Sequence, residues 1–86
     1  MTPEEILTEL IRFRSIVGQD NAPITRWIAQ YLDRFGVAAQ ILPGPEGDRA
    51  NLFATIGPRD VPGLILSGHM DVVPAQEPQW SADPFL

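Results

Sequence analysis

The first helix is indicated by apolar residues that recur every three or four positions near the amino terminus. Thr2 and Glu5 have the spacing of a capping box, and Pro3 falls at the first helical position, where no intrahelical hydrogen bond is lost. The apolar positions behind this cap are Ile6, Leu7, Leu10, Ile11 and Phe13. Because this spacing places their side chains on one face, the pattern predicts a helix over residues 3–14.

A second amphipathic helix follows, with an apolar face that is rich in aromatic residues. Asp20 or Asn21 is the candidate cap, Pro23 is tolerated in the first turn, and Gly36 is the candidate stop. The apolar face is formed by Ile24, Trp27, Ile28, Tyr31, Leu32 and Phe35. Because charged and polar residues occupy the opposite face, we interpret the aromatic stripe as core packing rather than as a surface on which a ligand stacks.

Three short strands are predicted in the rest of the chain. Residues 37–42 and 50–56 have the composition of strands, and the turn between them is rich in proline and glycine, which predicts an antiparallel hairpin. After a second break, residues 64–67 form the third predicted strand. Its residues 64–66 are all apolar, which is typical of a strand that is covered on both faces.

This order of elements predicts an α/β fold of the three-layer α/β/α kind. A sheet covered on both faces needs helices above and below it, and two helices cannot supply both layers. At 86 residues the chain has room for one core at most, and a chain of this size buries only about 60 to 65 per cent of its unfolded surface. We therefore expect residues 1–86 to be the amino-terminal portion of one domain, with an incomplete sheet and no complete second domain.

Charge and composition exclude several classes of function. Six basic and eleven acidic residues give a net charge of −5, and no basic cluster is interleaved with aromatics, which argues against nucleic-acid binding. No apolar run approaches the roughly 18 residues of a membrane span, and acidic residues stand where a signal peptide is basic. The absence of cysteine excludes disulfides and a thiolate zinc site. We expect a cytoplasmic protein that binds neither nucleic acid nor membrane.

The candidate chemistry follows the third predicted strand, where the only histidine, His69, stands two residues before Asp71. Pro74 and Pro78 prevent the strand from continuing far, so the pair falls at its carboxyl end, where ligand sites of open α/β sheets lie. Residues i and i+2 of an extended segment point to the same side, which lets Asp71 orient the imidazole while the other ring nitrogen faces a metal. The alternative is a structural histidine with a hydrogen-bond partner, because zinc normally needs three or four protein ligands.

The residues around His69 resemble the amino-terminal signature of a family of zinc deacylases and exopeptidases. Residues 67–74, with the sequence SGHMDVVP, carry the resemblance together with Trp80, Asp83, Pro84 and Phe85. The family includes acetylornithine deacetylase, succinyl-diaminopimelate desuccinylase, aminoacylase and glutamate carboxypeptidase. Residues 50–58 and 80–85 look most like the acetylornithine deacetylase branch.

The resemblance implies a dinuclear hydrolase that removes the acyl group from a small-molecule N-acyl amino acid. N-acetylornithine, deacetylated in arginine biosynthesis, is the best-matched substrate. Two Zn²⁺ ions are implied for the complete site, with Co²⁺ or Mn²⁺ as alternatives. His69 is the implied ligand of one metal ion, and Asp71 is the implied catalytic-site carboxylate that holds the imidazole.

The resemblance also implies that residues 1–86 are only part of a catalytic domain. The bridging Asp, the Glu pair and the remaining ligands of the family pattern do not occur in these residues, so we expect the 86-residue chain to be inactive by itself. The whole protein is expected to form a homodimer through a domain further along. Two other hypotheses stay open: a related zinc peptidase or desuccinylase, and a non-catalytic truncated module that binds a partner.

Two aromatic residues after the histidine segment have alternative roles. Trp80 and Phe85 either pin a proline-rich loop onto the protein, which is the interpretation we favour, or wall a substrate cleft. Asp83 precedes Pro84, which holds it away from helical geometry. The resemblance makes Asp83 part of the signature and not a metal ligand.

Overall fold

The computed structural model describes residues 1–45, 47, 49–75 and 80–86. Along these residues the elements follow the order α1 (Pro3–Ile11), α2 (Ala22–Asp33), β1 (Ala39–Pro43) and β2 (Ala50–Ala54). Two helices precede an antiparallel pair of strands, which agrees with the α/β class predicted from the sequence.

Helix α1 begins with the predicted capping box. The amide of Glu5 donates to Oγ1 of Thr2 at 3.2 Å, and the amide of Thr2 donates to Oε1 of Glu5 at 3.4 Å. The helix ends at Ile11, earlier than the predicted residue 14, and none of its residues is buried. It ends there because the chain must become extended by Ser15, whose carbonyl accepts the amide of Val72 at 2.9 Å.

Helix α2 has the predicted start and stop, with the two candidate cap residues in different roles. The carboxylate of Asp20 accepts the Ala22 amide at 2.8 Å, whereas Asn21 holds the cap position and makes no side-chain bond to the helix. At the other end Gly36 has a φ of +73°, and its amide donates to the Asp33 carbonyl at 3.1 Å. This left-handed position favours glycine and closes the helix as expected.

Strands β1 and β2 form the predicted hairpin. They pair antiparallel from Ala39 opposite Ala54 to Pro43 opposite Ala50. The amide of Gly44 donates to the Arg49 carbonyl at 2.7 Å and closes the turn, of which Glu46 and Asp48 lie outside the described residues. Helix α2 contacts both strands, so the hairpin and this helix form the packed unit of the chain.

The predicted third strand does not form in the described part of the chain. Residues 64–66 belong to no strand, and Leu64, Ile65 and Leu66 are 95, 85 and 94 % exposed. A strand is held by its hydrogen-bonded neighbours, and β1 and β2 pair only with each other in this two-stranded sheet. The strand predicted at 64–67 is therefore not confirmed in this structure, and neither is the three-layer arrangement.

The aromatic side chains along α2 form a row of ring contacts. The rings of Trp27 and Tyr31 are stacked with centroids 5.5 Å apart, and Phe13 and Phe35 extend this row at either end. Such offset ring contacts each contribute about 0.5–1.5 kcal/mol beyond area burial. This geometry supports the packing interpretation, although Phe35 at the outer end is exposed.

The buried core is small for the length of the chain. Among the described residues, the buried apolar side chains are Ile16, Ile24 and Phe85. The accessible surface is 6923 Å², whereas a compact protein of 9.5 kDa exposes about 5,000 Å². Much apolar surface is thus left uncovered.

In the described part, neither helix has the length and apolar character needed to cross a lipid bilayer.

We expect the 86-residue chain to self-associate through residues 64–66, because an exposed apolar segment with free backbone groups is a template for strand pairing. Ile65→Lys should lower the association constant by roughly tenfold or more, since burying one isoleucine contributes about 1.5–3 kcal/mol. Ile56→Lys, a matched change at a side chain that is 80 % exposed outside this run, should have a smaller effect. Sedimentation equilibrium measures both. A monomeric wild-type chain at high concentration, with sharp amide dispersion and cooperative melting, would contradict the expectation.

Candidate metal site

The segment that carries His69 is held by a parallel pairing with the chain just after α1. Ile16 and Val72 form a parallel bridge. The Val72 amide donates to the Ser15 carbonyl at 2.9 Å, and the Val17 amide donates to the Val72 carbonyl at 2.8 Å. The histidine segment is therefore extended at this point, as expected, although its partner is the 15–17 segment and not a strand of the hairpin.

Alternation along this extended segment separates one anchoring side chain from two more exposed ones. Met70 is half-buried, with its sulfur 4.0 Å from the hydroxyl of the buried Thr25. The side chains of His69 and Asp71, on either side of it, are 85 and 53 % exposed. Because successive side chains of an extended chain point to opposite sides, burial of Met70 fixes the outward direction of both neighbours.

Asp71 contacts one nitrogen of the imidazole through two of its oxygens. Nδ1 of His69 lies 2.8 Å from Oδ1 of Asp71 and 2.9 Å from the Asp71 carbonyl oxygen. A backbone carbonyl can only accept, so this arrangement places the proton on Nδ1. In the neutral ring the lone pair is then on Nε2, the nitrogen that a metal ion would bind.

The pair lies at the edge of an open cleft of about 660 Å³. Its walls are residues 15–19, the turn end of the hairpin and residues 68–71. Asn21 holds two of these walls together: its amide nitrogen donates to the Ala50 carbonyl at 2.9 Å, and its amide oxygen accepts the Ala50 amide at 2.8 Å. Arg49 also lines the cleft and brings a positive charge to it.

Three residues that shape this site make contacts that their sequence pattern did not indicate. Ser15 donates its hydroxyl to the Met70 carbonyl at 2.7 Å, Met70 anchors the segment, and Asn21 ties α2 to β2. Asn21 was expected only as a helix cap. Their partners lie 29, 45 or 55 residues away in sequence, and no local periodicity signals such contacts.

The aromatic residues near the end of the chain lie away from this cleft. Phe85 is buried, with the guanidinium of Arg14 4.3 Å from its ring centroid, so it pins this loop to the segment after α1, in agreement with the packing role. Trp80 is half-exposed, and neither ring is among those lining the cleft. The carboxylate of Asp83 accepts the Phe85 amide at 2.9 Å, a local turn contact. Pro78 lies outside the described residues.

Comparison with known proteins identifies relatives over nearly the whole chain. It is 41 % identical over 83 residues to the succinyl-diaminopimelate desuccinylase of Legionella pneumophila (strain Corby), an alignment that covers 95 % of this chain and 21 % of the relative. It is 40 % and 38 % identical over 88 residues to the acetylornithine deacetylases of Proteus mirabilis and Photorhabdus laumondii, with 94 % of this chain and 22 % and 23 % of those proteins aligned. The chain is therefore similar to succinyl-diaminopimelate desuccinylases and acetylornithine deacetylases along nearly its whole length.

The family resemblance seen in the sequence is thus confirmed, with deacetylases and desuccinylases matched at nearly equal identity. The chain spans about a fifth of the length of these curated relatives. No family model and no solved structure matches it. Within the described residues, no cluster of three or more histidine, cysteine or acidic side chains has metal-site geometry, so His69 stands as a single candidate ligand.

Proposed function

We propose that this chain forms part of a metal-dependent hydrolase that removes an acyl group from an N-acyl amino acid. The observation that carries the proposal is the His69–Asp71 contact at 2.8 Å on the edge of a cleft, with Nε2 left for a metal ion. The deacetylases and desuccinylases to which the chain is related support the same reaction class. A cleft of about 660 Å³ is within the size range of small-molecule sites, roughly 300–1,000 Å³.

The donor chemistry fits one coordination position of Zn²⁺, which binds neutral imidazole nitrogen well; Co²⁺ and Mn²⁺ are the alternatives. Zinc sites take three or four protein ligands, so the proposal places the remaining ligands, the second zinc position and the general base in residues outside these 86. When bound, the metal ion supplies Lewis acidity to the amide carbonyl and to water. His69 would bind the ion, and Asp71 would orient the ring.

For the finer assignment we propose N-acetylornithine as the substrate, in a cytoplasmic, homodimeric enzyme of arginine biosynthesis. The resemblance of residues 50–58 and 80–85 to the acetylornithine deacetylase branch supports this choice. N-succinyl-diaminopimelate is the second candidate, because the desuccinylase of Legionella pneumophila is 41 % identical to the chain.

The test is hydrolysis of N-acetylornithine and N-succinyl-diaminopimelate by the protein that includes these residues and the aligned length of its relatives. We expect metal-dependent release of one acyl group, loss of turnover on chelation, and recovery when Zn²⁺ is returned. The 86-residue chain alone, assayed in parallel, should be inactive. Absence of hydrolysis of either substrate by the metal-loaded protein would favour the non-catalytic module, and chelator-resistant turnover would remove the metal from the proposal.

A further inference from the structure

Ser15 is buried although serine is a residue type that is mostly exposed. It is 4 % exposed, and both its hydroxyl and its carbonyl bond to the histidine segment. A buried hydroxyl must find a partner, and this one donates to the Met70 carbonyl at 2.7 Å. The Ser15 carbonyl accepts the Val72 amide at 2.9 Å. One residue therefore bonds to the peptide unit on each side of Asp71.

These two bonds act on the groups that hold the imidazole. The peptide between Asp71 and Val72 gives its N–H to Ser15 and its carbonyl oxygen to Nδ1 of His69, at 2.9 Å in each case. Rotation of that peptide would break both bonds together. The peptide between Met70 and Asp71 is fixed by the Ser15 hydroxyl, so the backbone of Asp71 is held on both sides.

We infer that Ser15 is a positioning residue for the metal site: it fixes Asp71 so that the oxygens of Asp71 accept the hydrogen bond from Nδ1–H of His69, and Nε2 is left for the metal ion. The part of this inference that concerns metal binding rests on the proposed function. The part that concerns the position of the Nδ1 proton rests on the geometry alone. Ser15 does not touch the ring, and it acts through the backbone of Asp71.

The matched control is Thr25, a second buried hydroxyl in the same part of the core. Thr25 is 1 % exposed, and its hydroxyl donates to the Asn21 carbonyl at 2.8 Å, within the first turn of α2. Ser15→Ala and Thr25→Val each remove one buried hydroxyl and should destabilise the fold to a similar extent. Thr25→Val also removes the 4.0 Å contact to the Met70 sulfur, whereas Ser15→Ala removes a hydrogen bond to the backbone beside Asp71.

Long-range ¹⁵N–¹H NMR of the chain with a neutral imidazole shows which ring nitrogen carries the proton. The single histidine makes the assignment unambiguous. The wild type should carry the proton on Nδ1. Ser15→Ala should lower the ratio of Nδ1-protonated to Nε2-protonated ring by about fivefold, the effect of one lost hydrogen bond. Thr25→Val should leave the ratio unchanged. Ser15→Cys, which keeps most of the volume and is a weak donor, should lie between serine and alanine and decides the matter if the alanine variant does not fold.

Metal binding is tested with Zn²⁺ alone as the probe, and the binding is followed on the same His69 resonances. The weak affinity of the wild-type chain should fall by about fivefold in Ser15→Ala and be kept in Thr25→Val. A wild-type proton ratio in both Ser15 variants, or an equal shift in Thr25→Val, would overturn the positioning role. If His69 resonances fail to respond to Zn²⁺ in the wild type while the proton ratio changes as expected, the proposed metal function fails and the role of Ser15 in holding Asp71 stands.

Discussion

His69→Ala is expected to abolish turnover in the protein that contains the complete site. The substitution deletes the only imidazole of this chain, and with it the Nε2 lone pair that we propose as a metal ligand. Loss of a partner that only orients a ligand costs about 10- to 100-fold, so loss of the ligand itself should exceed 100-fold in kcat/KM. The bound metal per subunit should fall in parallel, and high metal concentration should restore part of the activity. Metal analysis and steady-state kinetics on the same preparations measure both effects.

A second substitution separates a ligand from a structural histidine. His69→Cys replaces one zinc donor by another and should retain more metal than the alanine variant, whereas a packing role would give cysteine no such advantage. Neither variant should change the stability of the fold much, because the His69 side chain is 85 % exposed and covers no core. A His69→Ala protein with full metal content and unchanged turnover would show that the histidine has no part in the site.

The local structure of the helices and the hairpin was predictable because short-range signals determine it. The Thr2–Glu5 box, the left-handed Gly36 and the turn around Gly44 each act within a few residues, and each is found where the pattern indicated. The third predicted strand is not confirmed for the opposite reason. Its apolar residues 64–66 indicate coverage on both faces, and strand formation depends on neighbours that the two-stranded sheet does not provide.

The site shows the same division between local and distant information. The i, i+2 spacing of His69 and Asp71 was enough to expect their contact, which the structure has at 2.8 Å. The residues that fix this segment were not predictable, because Ser15 contacts it across 55 positions of sequence and carries no local motif. Ser15 stands between Arg14 and Ile16, and its two bonds around Asp71 give it a role.

The exposed segment and the cleft are connected through the chain. Residues 64–66 run directly into the histidine segment, and the Ile16–Val72 bridge begins only after His69 and Asp71. The pair is thus held at Met70 and Val72, whereas residues 64–66 on its amino side are almost fully exposed. Any element that covers residues 64–66 would also hold the second side of the pair, so the metal affinity of the whole protein should exceed that of the 86-residue chain.

Asp71→Asn is expected to have a different outcome from His69→Ala, because we propose that Asp71 acts on the imidazole and not on the metal. Asparagine keeps the size and one acceptor oxygen, and it removes the charge that faces Nδ1 of the ring. Changes of this kind cost about 10- to 100-fold in metal affinity or activity. The 2.9 Å contact from Nδ1 to the Asp71 carbonyl oxygen remains available in the variant, which favours the lower part of that range.

The asparagine side chain also has a second orientation, in which its amide nitrogen faces Nδ1 of His69. An amide nitrogen cannot accept a hydrogen bond from Nδ1–H. In that orientation the Nδ1 proton is supported by the backbone carbonyl alone, so the Nδ1-protonated fraction of the neutral ring should fall along with the metal affinity. Asp33→Asn, which removes the same charge from the exposed end of α2 outside the cleft, is the matched control and should change neither quantity. If Asp71→Asn lowers kcat by more than 100-fold while the metal content stays at the wild-type level, Asp71 acts on the reaction beyond holding the ring. If metal affinity, proton position and kcat all equal those of Asp33→Asn, the orienting role of Asp71 is wrong, because the same loss of charge then has the same result at both positions.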